Sequence, residues 1–158
     1  MTSEIAVQNE SSLVLTDALE SRLKEAVLAT LRAENIDLPC EVSILLCSND
    51  EIHHLNLAYR ENDRPTDVLS FPIYETLDDL MQEADLFGIA DFFCIGDVVI
   101  APDVVKEAAS EIGDPFEVHL CRMCIHSVLH LLGYDHETSP EDETVMLGKQ
   151  EAILQTLF

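Results

Sequence analysis

His126-Ser127-Val128-Leu129-His130-Leu131-Leu132-Gly133-Tyr134-Asp135-His136 is the stretch from which the rest of the chain can be read. Its histidines stand at i, i+4 and i+10. Residues four apart lie one turn apart on a single helix face, so His126 and His130 can grip one ion. Gly133 can end that helix in a left-handed turn, which swings the chain so that His136 returns toward the same point. Three neutral imidazoles with an open fourth position describe a catalytic zinc site, because a structural site normally closes with four protein ligands. Histidines at i and i+4 also occur as ordinary half-buried residues. Here, however, half of the six histidines fall within one short stretch around a helix stop. The expectation is one zinc per chain, held by His126, His130 and His136.

Upstream, Asp114-Pro115 reads as the start of this helix, with Asp114 as its cap and Pro115 at the first helical position. Inside it, Cys121 and Cys124 form a CxxC. The motif lacks the strand-then-helix start of a redox site, so core packing is expected. His119 lies two turns before His126, too far for a ligand. Downstream, Ser139-Pro140-Glu141 opens a last helix carrying Met146, Ile153, Leu154 and Leu157.

The remaining elements follow from periodicity and punctuation. Residues 4–9 suit a first strand. A helix capped by Thr16 shows Leu19, Leu23, Val27 and Leu31 on one face and frays near Asn35. Cys40–Cys47 is a buried strand by composition, and Ser48-Asn49-Asp50-Glu51 has the form of a capping box for a helix to about Tyr59. Thr66–Phe71 is a short strand stopped by Pro72, and Ile95–Ala101 is another. Pro102 starts a helix that Gly113 stops after Ile112. Residues 73–93 are the least legible part: Leu77 to Leu86 has helical spacing, and Ala90-Asp91-Phe92-Phe93 suits a packed flap. The predicted architecture is α+β, a small mixed sheet of about four strands with about five helices, in a single domain over 1–158.

Bulk composition excludes several classes. A chain of 158 residues with 47% hydrophobic residues, five glycines and six prolines is neither disordered nor repetitive. The start, Met1-Thr2-Ser3-Glu4, has no basic region followed by an apolar run, so no signal peptide and no membrane association are expected. Five cysteines is an odd count that suits reduced thiols and a cytoplasmic location. Eight basic residues against thirty-one acidic ones, a net charge of −23, would repel a phosphate backbone at long range and attract basic protein surfaces.

Two families share the histidine pattern. The zinc proteases with HExxHxxGxxH match its spacing, but Ser127 stands where their general-base glutamate belongs, and Met146 falls in a predicted helix rather than a turn. A second resemblance covers more of the chain. His126 to His136 is similar to the HGxLHLxGYDH strip of the YbeY family, bacterial rRNA maturation factors. Asn56-Leu57-Ala58-Tyr59-Arg60-Glu61-Asn62-Asp63-Arg64-Pro65-Thr66-Asp67-Val68-Leu69-Ser70-Phe71-Pro72 resembles the family's NxxYRxxDxPTDVLSFP. Gly96-Asp97-Val98-Val99-Ile100 resembles its GDIxI strand, and Met146 with Gln150-Glu151 its last helix. The resemblance spans about residues 40–157. Ser127 departs from the family's glycine, where it is expected to fit but to narrow the approach to the metal.

The resemblance implies a zinc-dependent, single-strand-specific endoribonuclease in small-subunit rRNA 3′ end maturation and ribosome quality control. Single-stranded rRNA and basic ribosomal proteins are its expected partners, and DNA is not. His126 and Arg60 are the expected catalytic residues. Arg60 matches the family's active-site arginine, and a guanidinium can clamp a phosphate. Arg64 is a candidate RNA contact. Thr66, Asp67 and Ser70 are expected in the cleft wall, with Asp67 in a structural role. Asp135 is either an orienting partner of the site or a turn residue. Tyr59 is expected in the core, with base stacking as the alternative. His53 and His54 read as surface or packing residues. The rival functions are a metallohydrolase of another substrate and a non-catalytic ribosome-assembly factor with a structural zinc.

Overall fold

The computed structural model describes residues 3–87, 93–135 and 139–158. Among them, four strands form one sheet: β1 (Glu4–Asn9), β2 (Cys40–Leu46), β3 (Val68–Pro72) and β4 (Phe93–Ile100), in the order β1-β2-β4-β3. β1, β2 and β4 run parallel, and β3 pairs antiparallel with β4 as an edge strand. The helices are α1 (Asp17–Ala33), α2 (Asn49–Arg60), α3 (Leu77–Phe87), α4 (Pro102–Ile112), α5 (Phe116–Leu131) and α6 (Pro140–Gln155). The α+β expectation holds. The helix beyond the expected five is α3, whose helical spacing is real despite its acidic content.

Local chemistry explains most boundaries. Thr16 and Ser48 accept hydrogen bonds from the backbone N–H of Leu19 and Glu51, and Ser139 does the same for Asp142. Each satisfies a helix-start donor that would otherwise lack a partner. Gly113 ends α4 at φ +76°, and Asn35 takes φ +57° just after α1. The start of α5 differs from expectation. Its cap position is Pro115, which makes no side-chain cap, and the helix proper begins at Phe116. Asp114 instead accepts a hydrogen bond from the Arg122 guanidinium at 2.8 Å. A charged partner one helical face away outcompetes the backbone amides for this carboxylate. β3 also begins two residues later than predicted, because the Asp67 side chain accepts from the Val68 N–H at 2.8 Å and sets the strand's first residue. That is the structural role expected of Asp67. Of the predicted flap, 90–92 lies outside the described residues and Phe93 opens β4.

The main core joins the sheet to α1, α5 and α6. Val42, Ile44 and Leu46 of β2 alternate inward with Val98 and Ile100 of β4, against Leu23, Val27, Ile125, Leu129 and Met146. A smaller cluster on the other face joins Ile52 of α2 to Leu69, Val99 and Ala101. α5 therefore lies between the sheet and other helices, which is why it is apolar on nearly every side. Cys121 and Cys124 are wholly buried there, as expected of core cysteines. Burial pushes the Cys121 thiol up to about 12, far from a reactive thiolate.

Gly96 permits the close approach of three elements. It has φ +145°, and a Cβ there would lie 2.4 Å from the Phe71 carbonyl oxygen and 2.8 Å from a methyl of Leu131. The bulge where the β2–β4 register shifts, beside Glu41 and Val42, falls next to it. β3, β4 and the C-terminal turn of α5 meet at this point, which fixes the histidine helix against the edge strand.

Candidate metal centre

His126 and His130 stand on the last two turns of α5, both half-buried. Their Nε2 atoms are 3.1 Å apart, with ring planes at 83°. Each ring is held by its other nitrogen. His126 Nδ1 lies 2.7 Å from Gln150 Oε1, and His130 Nδ1 lies 2.8 Å from the backbone oxygen of Tyr134. An amide or backbone oxygen only accepts, so both Nδ1 atoms carry the proton and both Nε2 atoms present lone pairs. Two facing lone pairs at this distance repel one another unless a cation or proton lies between them. Two imidazole nitrogens bound tetrahedrally to one zinc, at about 2.0–2.1 Å each, stand roughly 3.3 Å apart. The donor set therefore fits a zinc-like ion.

The turn that supplies the Tyr134 carbonyl is built locally. Gly133 takes φ +99°; its N–H donates to the His130 oxygen at 3.0 Å, and the Tyr134 N–H donates to the Leu129 oxygen at 3.1 Å. This is the paired-bond helix stop that favours glycine, as predicted. Tyr134 is braced in turn by Lys149, whose ammonium lies 5.5 Å from its ring centre and 3.2 Å from the Glu34 carboxylate. Asp135 follows, exposed. The third predicted ligand, His136, lies outside the described residues. Among the described residues no cluster of three or more His, Cys, Asp or Glu side chains is gathered for a metal.

Gln150 is the residue that sequence reasoning missed. It is 4% exposed on α6. Its amide oxygen meets His126 while its amide nitrogen donates to Glu151 at 3.1 Å. Glu151 accepts from Arg122, which also donates to Asp114 and to His119 Nδ1. These contacts fix the amide orientation and with it the His126 tautomer. Burial, with Arg122 beside it, pushes the His119 imidazole below its ordinary value. Its partner is Arg122, in keeping with its exclusion as a ligand. The only sequence signal for Gln150 was its place in the last-helix strip, which carries no role by itself.

The second strip surrounds the edge strand. Arg60, at the end of α2, is exposed, and its guanidinium donates to the Ser70 carbonyl at 3.0 Å. Ser70 Oγ lies 2.6 Å from Ser127 Oγ, and both serines are buried. Ser127 therefore faces β3, and its hydroxyl does not narrow the approach to the histidine pair. A side chain where the family pattern has glycine is tolerated because Ser70 satisfies its hydroxyl. Thr66 hydrogen-bonds to its neighbour Asp67. Arg64 is exposed, and its backbone oxygen accepts from the buried Asn56 amide. His53 pairs with Asp63 at 2.8 Å on the surface, and His54 is exposed. Tyr59 overturns its core expectation: it is 66% exposed. It stands at the end of α2, where among the described residues its ring contact is with Phe71 of the edge strand.

An α+β domain with a facing imidazole pair, each ring held through Nδ1 by Gln150 or the Tyr134 backbone oxygen, is a scaffold that can carry a metal ion. The family model for Endoribonuclease YbeY matches residues 4–158, and the chain belongs to that family. It is 39% identical to an Endoribonuclease YbeY of Acetivibrio thermocellus over 159 aligned positions, covering 98% of this chain and 96% of the relative. A relative of the same description from Acinetobacter baumannii is 37% identical, covering 99% of this chain and 95% of the relative. The solution structure of TM1509 from Thermotoga maritima matches with a TM-score of 0.61 at 32% identity, covering 97% of this chain and 88% of that one. The match reaches the N-terminal region that the motifs left unassigned.

Proposed function

We propose that this chain is a zinc-dependent endoribonuclease that cuts single-stranded RNA, with small-subunit rRNA as its substrate and 3′ end maturation and ribosome quality control as its setting. Family membership supports the coarser statement, that the protein is an RNA-cleaving hydrolase; a single domain over 1–158 is part of the proposal. The single observation that carries the metal reading is the facing Nε2 pair with both Nδ1 protons committed to oxygen acceptors. His126, His130 and His136 are the proposed ligands, one ion per chain. When bound, such an ion polarises a phosphoryl oxygen and activates water. Gln150 and the Tyr134 carbonyl hold the two described rings in the ligating tautomer. Arg60 offers its remaining N–H donors to a phosphate, while the Ser70 carbonyl holds its guanidinium at the edge of β3.

The net charge of −23 favours partners with basic surfaces, and ribosomal proteins are of that kind. No helix among the described residues is long and apolar enough to cross a membrane. Five free cysteines, an odd number and four of them buried, suit the cytoplasm. The same charge supports one competing reading, an assembly factor in which zinc only stabilises the fold.

Metal content and cleavage of a labelled single-stranded RNA distinguish the two readings. The native chain is expected to hold about one zinc and to cut. Arg60→Ala keeps the zinc and loses roughly 100- to 1,000-fold in rate, as removal of a transition-state donor does. His130→Ala loses both zinc and cleavage. Equal cutting by all three proteins would remove the nuclease assignment and leave the structural-zinc reading.

A further inference from the structure

We propose that Tyr59 is a stacking platform for one base of the RNA, placed beside Arg60 and Arg64, which take the adjoining phosphates. The proposal rests on the RNA-cleaving reading and accounts for its single-strand preference.

The ring is exposed yet held. Tyr59 packs against Phe71 at 5.2 Å between centroids, with planes at 80°. It stands in the last turn of α2, which Glu61 closes at φ +58°. With about two-thirds of the residue in solvent, the ring offers an open face whose orientation is set before any ligand arrives.

Charge singles out the same place. Among the described residues Arg22, Lys24, Arg32, Arg122 and Lys149 each form an ion pair with a carboxylate. Arg60 and Arg64 form none; the third such cation, Lys106, stands on α4. In a chain this acidic, two of the three cations without an ion pair among the described residues therefore lie within five residues of the exposed aromatic ring. Asp63, between them in sequence, is engaged by His53.

A chain of contacts links the platform to the histidine helix. Tyr59 touches Phe71, Arg60 touches the Ser70 carbonyl, and Ser70 touches Ser127, the neighbour of His126. A strand laid over the free edge of β3 would pass from the ring, across Arg60, to the histidines. Every base has a π-face, so stacking is tolerant of sequence, while a duplex keeps its bases stacked within the helix and cannot present one.

The chain contains no tryptophan, so Tyr59→Trp introduces a single indole reporter. Its fluorescence is followed on rapid mixing with a short single-stranded oligoribonucleotide, before cleavage. The expected result is quenching by the single strand and none by a duplex of equal length. In binding assays Tyr59→Phe retains affinity, and Tyr59→Ala loses roughly ten- to a hundredfold. An abasic sugar-phosphate strand is expected to bind the native chain and Tyr59→Ala alike. Unchanged zinc content and circular dichroism confirm that Tyr59→Ala is folded. Equal affinity of the native chain and Tyr59→Ala for the oligoribonucleotide, or an unquenched indole in the complex, overturns the stacking role alone. A native chain that neither binds nor cuts RNA overturns the RNA reading and this proposal together.

Discussion

A histidine tautomer decides whether the site can receive a cation, and here a neutral amide sets it. Gln150 accepts the His126 Nδ1 proton with one end and is anchored by Glu151 with the other. Gln150→Leu removes that acceptor while keeping the volume. Chelator competition is expected to show metal affinity lower by about 10- to 100-fold. Gln150→Glu keeps an acceptor and should restore most of it. Native affinity in Gln150→Leu would show that the helix alone orients His126. Tyr59 illustrates the opposite limit of legibility. Its place at the end of an amphipathic helix suggested the core, but burial depends on what covers a position, and among the described residues the Phe71 contact leaves it two-thirds exposed.

At the scale of elements, the site depends on how closely α5 approaches the edge of the sheet. Gly96 is where that approach is closest, because its φ and the space around it both exclude a side chain. Gly96→Ala is expected to cost about 3 kcal/mol or more, lowering Tm by roughly 6–12 °C. It should also displace β3 from α5, so that zinc binding or cleavage falls in the protein that remains folded. A Tm within about 2 °C of native would mean the strands shift to admit a methyl group. The sequence showed Gly96 only as part of a strand motif, since the clash involves Phe71 and Leu131, distant in sequence. The stop of α5 at Gly133 was legible because every atom of that turn lies within five residues.

Over the whole molecule, burial keeps several thiols protonated. Cys40 and Cys47 are pushed from 9.0 up to about 11, and Cys121 up to about 12. In the unfolded chain these thiols ionise near 9, so above that pH the unfolded state binds fewer protons than the folded one. Their contribution to stability is intact below pH 9 and declines as pH rises through 11–12. The urea midpoint should therefore fall steadily above about pH 9, and less so in Cys121→Ala relative to its own midpoint at pH 8. A midpoint constant to about pH 10.5 would contradict this. Net charge acts at the same scale: at −23 the chain as a whole repels a phosphate backbone at long range, so an RNA contact would need local cations such as Arg60 and Arg64.

Features that depend on neighbours within a turn or two are legible in the amino-acid sequence. The i, i+4 histidine pair, the glycine stop, the serine and threonine caps and the alternating strands all follow from 3.6- and 2-residue periods and local hydrogen bonding. The family strips added Arg60 and the edge strand to the same site, though not the contacts between them. The remaining contacts depend on how the elements pack together. Asp114 serves Arg122 instead of capping a helix, Ser127 serves Ser70 instead of crowding the histidines, and Gln150 reaches His126 from a different helix. In each case a side chain has several satisfactory partners available, and choosing among them requires knowing which distant groups folding brings within 3 Å.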